Sequence, residues 1–318
     1  MDFYDFVKPV PHENDIRQEI CDRVEHALCE EFGQNFHIGA FGSFAAGLYL
    51  PTADMDLVFL SNGPQPKLSM DSFKQVKHVL DRAAKALRKR GLAGHSCLKV
   101  WRAKVPIVKF VDVKTRLSVD ISFENKSGLT AQETLRQWAS EYEEMPPLVA
   151  LVKQFLLMRN LNEVRTGGLG GFSIVCLVIS FLHHFQKSKD VRQANYAELF
   201  LEFLDFYGNR FDLDRQMISL NPPGYVPKSV GAPGIDGRRI QPGKLSIQDP
   251  NNSYNDVAGG SFDVPKVMQC FQNAHNQLQQ HLAALGNTKP LGQSILALII
   301  GGNYQSFFDQ RAHLEHLY

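Results

Sequence analysis

Asp54-Met55-Asp56 heads an apolar run ending at Leu60, and a strand built from it would project Asp54 and Asp56 to one side while Met55, Leu57 and Phe59 face the other. A second run, Leu117 to Phe123, alternates in the same way: Leu117, Val119, Ile121 and Phe123 take the apolar phase and leave Asp120 with Ser118 and Ser122 on the polar one. If the two strands are neighbours, three carboxylates converge. Crowded like charges repel unless a cation compensates, and hard divalent ions such as Mg²⁺ take oxygen ligands. Two such ions clamp the attacking and leaving oxygens of an in-line phosphoryl displacement, so the chemistry this pattern could do is nucleotidyl transfer or phosphodiester hydrolysis. A DxD in a strand is commonplace by itself and more often marks a solvated sheet face. Weight comes from Phe41-Gly42-Ser43, eleven residues before Asp54 and at the exit of a strand-like segment. A Gly-Ser opening a helix offers backbone N–H groups and a hydroxyl to phosphate oxygens.

Several elements must position these residues. Ile16, Ile20, Val24, Ala27 and Leu28 follow a helical spacing behind the capping candidates Asn14-Asp15. After Gly33, Phe36, Ile38 and Ala40 recur at period two, giving strand, glycine turn, short helix, then the strand of Asp54 to Leu60. A basic helix between Ser69 and Arg90 has an apolar face of Phe73, Val76, Leu80, Ala83, Ala84 and Leu87. Short apolar runs at Cys97–Trp101, Ile107–Val113 and Leu117–Phe123 complete a small mixed sheet. From Thr130 the texture is helical, interrupted by a polar Gly/Pro-rich stretch from Asn221 to Pro250 and resuming at Val264–Leu285 and Gln293–Ile300. The class is α+β in two domains, a sheet-containing one and a mainly helical one; the resemblance set out below implies bounds of 33–135 for the first and of 1–32 with 136–318 for the second, with the active site in the cleft between them.

Composition sharpens this. The 318 residues, 44% of them hydrophobic, can bury a sizeable core, and the net charge of +1 excludes a polycation or an acidic disordered chain. From Lys67 to Arg116, however, 14 Lys/Arg stand against 3 Asp/Glu, an excess of 11, leaving −10 for the rest (20 basic, 30 acidic). Five widely spaced cysteines and no secretory signal fit a reduced, intracellular protein, and the longest apolar run, Leu169–Leu182, is too short to span a membrane. His183-His184 and His313-x-x-His316 lack further ligands nearby and read as helix residues rather than a metal site.

Four separated blocks carry a resemblance. Gly42-Ser43 with Gly47 to Leu57, and Val119-Asp120-Ile121-Ser122-Phe123, resemble the signature of the DNA-polymerase-β-like nucleotidyltransferases. Gln154-Phe155-Leu156, Leu161 to Val164 with Thr166 to Ser173, and Leu245 to Pro250 with Asn255-Asp256-Val257 are similar, more narrowly, to the non-canonical poly(A) polymerases of the Trf4/Cid14 type. The Gly-Gly-Leu-Gly-Gly-Phe-Ser variant is similar to fungal members, and the match covers nearly the whole chain.

The resemblance implies that residues 33–135 are the nucleotidyltransferase catalytic domain and that the helical remainder is the central domain, with a nucleotide-recognition motif at 245–257. It implies Asp54, Asp56 and Asp120 as holders of two Mg²⁺ or Mn²⁺ ions, with Asp120 also taking the proton from an RNA 3′-hydroxyl. Gly42 and Ser43 would hold the triphosphate, Lys153 would meet its β- and γ-phosphates, and Gly171-Phe172 would place an aromatic ring on the base. On the residues alone, Phe172 reads as helix core, and Asp249, Asn252 and Asn255 read as a loop turn; the resemblance makes those three base-edge or loop-ordering contacts. Uridylyl-transferring relatives carry His where this chain has Asn255, which favours ATP. Two departures stand out: Leu157 replaces a second Lys, leaving Arg159 or nothing to share the phosphate charge, and Ala258-Gly259-Gly260 stands where a basic residue is frequent. Ribose selection is also obscure, since Ala131 occupies the place of an Asn.

The implied activity is template-independent addition of AMP from ATP to RNA 3′ ends. The basic region would draw RNA by its phosphates without reading sequence. No RNA-recognition signature is visible, so a partner is expected to supply RNA affinity. The resemblance implies a zinc-knuckle RNA-binding protein joined with an RNA helicase in a TRAMP-like surveillance complex feeding the exosome, in the nucleus, nucleolus included. Alternatives are terminal uridylyl transfer, cyclic or 2′–5′ oligonucleotide synthesis, and a catalytically silent RNA-binding scaffold.

Overall fold

The computed structural model describes residues 2–63, 67–188, 195–285 and 294–317. In chain order the helices are α1 (Asp2–Val7), α2 (Pro11–Phe32), α3 (Gly42–Ala45), α4 (Phe73–Lys89), α5 (Ser127–Glu141), α6 (Met145–Leu157), α7 (Gly171–Ser188), α8 (Tyr196–Asp205), α9 (Val264–Leu285), α10 (Ala297–Ile300) and α11 (Gln305–Leu317). The strands are β1 (Phe36–Phe41), β2 (Met55–Ser61), β3 (Leu98–Val100), β4 (Ile107–Val111), β5 (Ser118–Phe123), β6 (Gln216–Leu220), β7 (Pro223–Pro227), β8 (Gln248–Asp249) and β9 (Asn252–Asp256). The helix expected from Gln293 begins outside the described residues, and its described part is α10. Two compact units result: Val7–Arg136 with Tyr304–Tyr318, and Met1–Phe6 with Gln137–Asn303.

The first unit is a five-stranded mixed sheet in the order β1-β2-β5-β4-β3, in which β2 and β5 run parallel and every other pair is antiparallel. One core joins the sheet residues Met55, Leu57, Phe59, Val108, Phe110, Val119 and Ile121 to α2 (Ile20, Val24, Leu28) and α4 (Leu80, Ala83, Leu87). The start of α4 is fixed by Ser72, whose hydroxyl accepts from Gln75 N at 3.3 Å while Gln75 Oε1 accepts from Ser72 N at 3.0 Å, a reciprocal cap.

This core corrects the expected partition. Residues 7–32 belong with the sheet, because the apolar face of α2 completes the sheet's core. Its Arg23 donates to both oxygens of the fully buried Asp112, at 3.0 and 3.1 Å. The C-terminal helix α11 joins the same unit: Leu314 is fully buried in that core, and Gln310 Nε2 donates to Thr115 O at 3.0 Å. The opening helix also begins earlier than expected, at Pro11 rather than after Asn14-Asp15, since proline suits the first helical turn.

The second unit packs α6, α7, α8 and α9 around Phe155, Phe181, Phe203 and Phe271, all at most 1% exposed. The polar 221–250 stretch is not a plain loop. It contributes β7 to the β6–β7 hairpin and leads into the β8–β9 hairpin, with Ile218 N donating to Ser246 O at 2.9 Å. Its scattered apolar residues Ile240, Leu245 and Ile247 are buried one at a time, which leaves no periodic signal in sequence. Among the described residues no helix is long and apolar enough to cross a membrane.

Candidate active site

Register brings the first carboxylates together. Asp56 and Asp120 are direct partners across the parallel β2/β5 ladder, so their side chains leave the sheet side by side. Neighbouring strands lie about 4.8 Å apart, a separation at which two negative charges repel by roughly 3 kcal/mol at an effective dielectric near 20. Further along, Val58 and Ser122 are buried, so the polar face is confined to the first residues of these strands; Ser122 faces inward and donates to Leu57 O at 3.2 Å. Asp54 lies one residue before β2, exposed at the end of a loop rather than within the strand.

Lys109 closes the group. It is the β4 partner of Asp120, and its ammonium donates to Asp54 Oδ2 at 2.6 Å and to Asp120 Oδ2 at 3.3 Å. Burial works against its charge, but the hydrogen bond to Asp54 and the charges of Asp120 and Asp54 prevail, so its pKa lies above the ordinary lysine value. By sequence Lys109 falls among the cations of the RNA-attracting region; the β4/β5 register assigns it to the carboxylates instead. Among the described residues, no three His, Cys, Asp or Glu side chains are grouped closely enough to hold a metal as they stand. The donors nonetheless fit a divalent cation: they are hard oxygens on a sheet rim that already draw in one positive group.

Gly42 stands against this cluster. Its φ of +67° lies in the left-handed region, which favours glycine, and a Cβ built there would push the Asp56 carboxylate aside. Ser43 follows in α3, a helix of four residues, and its carbonyl accepts from Leu48 N at 2.9 Å.

The other expected residues gather in the helical unit, around the N-terminus of α7. A Cβ at Gly171 would lie 3.8 Å from Lys153 Nζ, which places that ammonium beside the first turn of α7. Phe172 is half-buried rather than core, and one face of its ring stacks on Trp138, centroids 6.5 Å apart and planes inclined by 18°. Nothing in the sequence singles out Trp138, which lies 34 positions from the ring it supports. The β8–β9 hairpin is ordered by its own acids. Asp249 accepts from Asn255 Nδ2 and Asn251 N, both at 2.9 Å, and Asn252, exposed, accepts from Tyr254 N at 3.2 Å. Asp256 accepts from Ile247 N and Ala258 N, each at 3.0 Å, while burial pushes its carboxyl pKa upward. Ser173 Oγ donates to Val257 O at 3.2 Å, fastening this motif to α7.

Geometry bears on both departures noted in the sequence. Arg159 is committed elsewhere: it donates to Phe155 O at 2.9 Å and Ile299 O at 3.0 Å and packs on the Phe155 ring, 3.6 Å from its centroid. Beside Ala258-Gly259-Gly260, Lys244 arrives from before the motif, its ammonium donating to the carbonyls of Ala258 and Gly259.

The basic region also divides. Arg82 pairs with Glu31, Arg90 with Glu30, Lys99 with Asp81 and Lys114 with Glu19. Lys74, Lys77, Lys85, Arg88 and Lys89 are exposed on α4 and pair with no acid among the described residues. Among the described residues the outer face of α4 is therefore a run of exposed cations that pair with no acid.

A mixed sheet with paired acidic residues on its rim, a Gly-Ser turn beside them and a helical unit bearing Lys153 is the architecture of a nucleotidyltransferase polymerase core. Family models agree: one described as poly(A) RNA polymerase, mitochondrial-like, central palm domain, matches residues 1–140, and Cid1 family poly A polymerase matches residues 195–255. Poly(A) RNA polymerase protein 1 of Saccharomyces cerevisiae is 33% identical, over 98% of this chain and 48% of its own length. The inactive non-canonical poly(A) RNA polymerase protein Trf4-2 of Drosophila melanogaster is 30% identical, over 99% of this chain and 75% of its own. A solved structure of the polymerase core of TRAMP, an RNA surveillance complex, superposes with a TM-score of 0.80 at 32% identity, covering 95% of this chain and 92% of that one. The chain belongs to the non-canonical poly(A) RNA polymerases of the Trf4/Cid14 type. It spans about half the length of the yeast relative.

Proposed function

We propose that this chain is a template-independent RNA adenylyltransferase, moving AMP from ATP to an RNA 3′-hydroxyl with release of pyrophosphate. The observation that carries this is the adjacency of Asp56 and Asp120 in β2 and β5, completed by Asp54 at the mouth of β2 and by the Lys109 ammonium they attract. Asp54, Asp56 and Asp120 would hold the divalent ions, Mg²⁺ or Mn²⁺, which when bound polarise the reacting phosphate and acidify the attacking hydroxyl. Asp120 accepts the hydroxyl proton. Lys109 keeps Asp54 and Asp120 from repelling each other before an ion enters. Ser43 and the turn at Gly42 hold phosphate oxygens, and Lys153 beside Gly171 neutralises the β- and γ-phosphates, where charge accumulates in the departing pyrophosphate. Phe172, braced by Trp138, offers its second face to the adenine. Asp249 and Asn255, already paired, present the base-edge contact, with Asn252 on the turn between them; an Asn here rather than a His supports ATP over UTP.

RNA approaches along α4 through Lys74, Lys77, Lys85, Arg88 and Lys89. Further RNA affinity comes from a zinc-knuckle RNA-binding protein, with an RNA helicase in the same nuclear, exosome-linked surveillance assembly. The likeness to a polymerase core of an RNA surveillance complex supports that setting. One relative is named inactive, but Asp54, Asp56, Asp120 and the Gly42-Ser43 turn are all present here, which supports the active reading over a silent scaffold.

The test is primer extension: an oligo(A) RNA, Mg²⁺ or Mn²⁺ and each nucleotide separately, with and without a zinc-knuckle partner. A ladder with ATP is the expected result. No ladder in any arm defeats the proposal, a ladder mainly with UTP replaces it by uridylyl transfer, and products formed without primer point to oligonucleotide synthesis.

A further inference from the structure

The segment from Ser43 to Asp54 joins the phosphate-binding turn to the first metal carboxylate, and it lies on a buried arginine. Arg17, on α2, is 0% exposed. Its guanidinium donates to Ala53 O at 3.2 Å and to Pro51 O at 3.4 Å, one and three residues before Asp54. The same guanidinium lies 4.2 Å from the ring centroid of Tyr49 and 5.8 Å from that of Phe44, next to Ser43. The segment is closed on itself by Leu48 N to Ser43 O at 2.9 Å and Ala53 N to Leu50 O at 2.8 Å, and Tyr49 Oη donates to Asn14 Oδ1 on α2 at 2.7 Å.

A buried arginine needs a counter-charge and a reason to be there. The acids that act on its charge are Glu13, one turn earlier on α2, 1% exposed and also engaged by Arg311 of α11 at 3.0 Å, and Asp54 itself at the end of the segment. The reason is geometric. A planar guanidinium carries several donors in a fixed fork, and here two of them engage the carbonyls of Pro51 and Ala53, two residues apart, while the guanidinium lies over an aromatic ring. A lysine in its place offers a point charge without the fork.

We infer that Arg17 is a positioning residue: it clamps the 46–54 segment to α2 and so fixes Asp54 relative to Ser43, setting the reach between metal and triphosphate. The inference rests on the metal-holding role proposed for Asp54, but the clamp itself is testable without metal. The Arg311–Glu13 pair extends the clamp to α11, so the C-terminal helix supports the same loop.

The experiment uses Arg17→Lys, with Glu13→Gln as a second variant that keeps the arginine, and reads two quantities. First, in metal-free protein, amide exchange at Leu48 and Ala53 accelerates in Arg17→Lys while β2 and β5 amides keep their protection. Unchanged exchange in this segment, or equal acceleration throughout the sheet, overturns the clamp. Second, Mn²⁺ titration followed by electron paramagnetic resonance shows weaker binding in Arg17→Lys, on the order of 10-fold, as for outer groups that orient a ligand. That loss vanishes on an Asp54→Asn background and persists on Asp120→Asn. The same loss on both backgrounds assigns Arg17 a general structural role and overturns the inference. If wild-type protein binds no Mn²⁺, the metal reading of Asp54 fails while the exchange result still decides the clamp. Should Arg17→Lys not fold, Glu13→Gln, which loosens the arginine from its counter-charge, is expected to give the same local acceleration in milder form, and its absence counts against the clamp.

Discussion

The carboxylate cluster of the sheet unit and the nucleotide-motif cluster of the helical unit are built by different means. Asp56, Asp120 and Lys109 are held by ladder register: once β2, β5 and β4 pair, their positions follow from backbone hydrogen bonds that any sequence would make. Asp249, Asn255 and Asp256 sit in a short hairpin with an irregular register, and their order comes from their own carboxylates accepting nearby backbone and amide N–H groups. A ladder tolerates changes of side chain and keeps the geometry of a reacting centre. A hairpin tied by side chains depends on the identity of those side chains, and under the proposed function it is the part that selects the nucleotide. On this comparison, changes in the sheet cluster lower kcat and changes in the hairpin alter KM or nucleotide choice.

The severest way to break the comparison is to remove the sheet carboxylates. Asp54→Ala with Asp56→Ala is expected to lower primer extension on the order of 10³-fold, equivalent to roughly 4 kcal/mol of transition-state stabilisation. Thermal stability should hold, since loss of the Asp56 charge relieves its repulsion with Asp120 and Lys109 keeps Asp120 as a partner. An active double variant would remove this cluster from the chemistry. Gly42→Ala comes next: the left-handed backbone adds about 1–3 kcal/mol of strain, and displacing the Asp56 carboxylate is expected to cut kcat by roughly 10²-fold, as misplacement by about 1 Å can. Steady-state kinetics beside a melting curve would show activity lost well before the fold.

In the helical unit, Phe172→Ala is expected to raise KM for ATP about tenfold, within the roughly 1–3 kcal/mol of one stacked base, and to leave kcat nearly unchanged. A fall in kcat alone would move Phe172 into the reacting centre. Asn255→His should shift the ATP-to-UTP preference by about tenfold, near 1.4 kcal/mol, measured as the ratio of kcat/KM values; an unchanged ratio would place nucleotide choice elsewhere. The smallest effect is expected on α4, where Lys85→Ala, Arg88→Ala and Lys89→Ala together should weaken RNA binding several-fold and lower its salt slope by roughly 0.7 for each RNA phosphate left unneutralised, with KM for ATP constant. Arg90 is left out of that set because it pairs with Glu30.

Much of the carboxylate cluster is legible in the sequence, since alternation along a strand assigns Asp56 and Asp120 to a face without knowledge of the fold. Lys109 is not, because a residue's partner across a ladder depends on register, which no run of residues declares. Trp138 behind Phe172 and Arg17 beneath Ala53 escape for a related reason: each acts across 34 or more positions of chain. Residues 7–32 fall to the wrong unit by sequence because the amphipathic face of α2 shows that something is covered but not what.

By itself, then, the sequence determined what is local. It set the alternation that turns Asp56 and Asp120 outward, the glycine whose backbone lets the chain pass Asp56, and the helical apolar stripes. The tertiary structure alone decided what lies opposite: the sheet order that makes β2 and β5 neighbours, the ammonium among the acids, the arginine beneath the loop, and the division of the basic region into paired cations and a free face on α4. The physical reason is range. Backbone sterics and side-chain periodicity act over a few residues, whereas hydrogen-bond register, burial and ion pairing act between segments that only folding brings together.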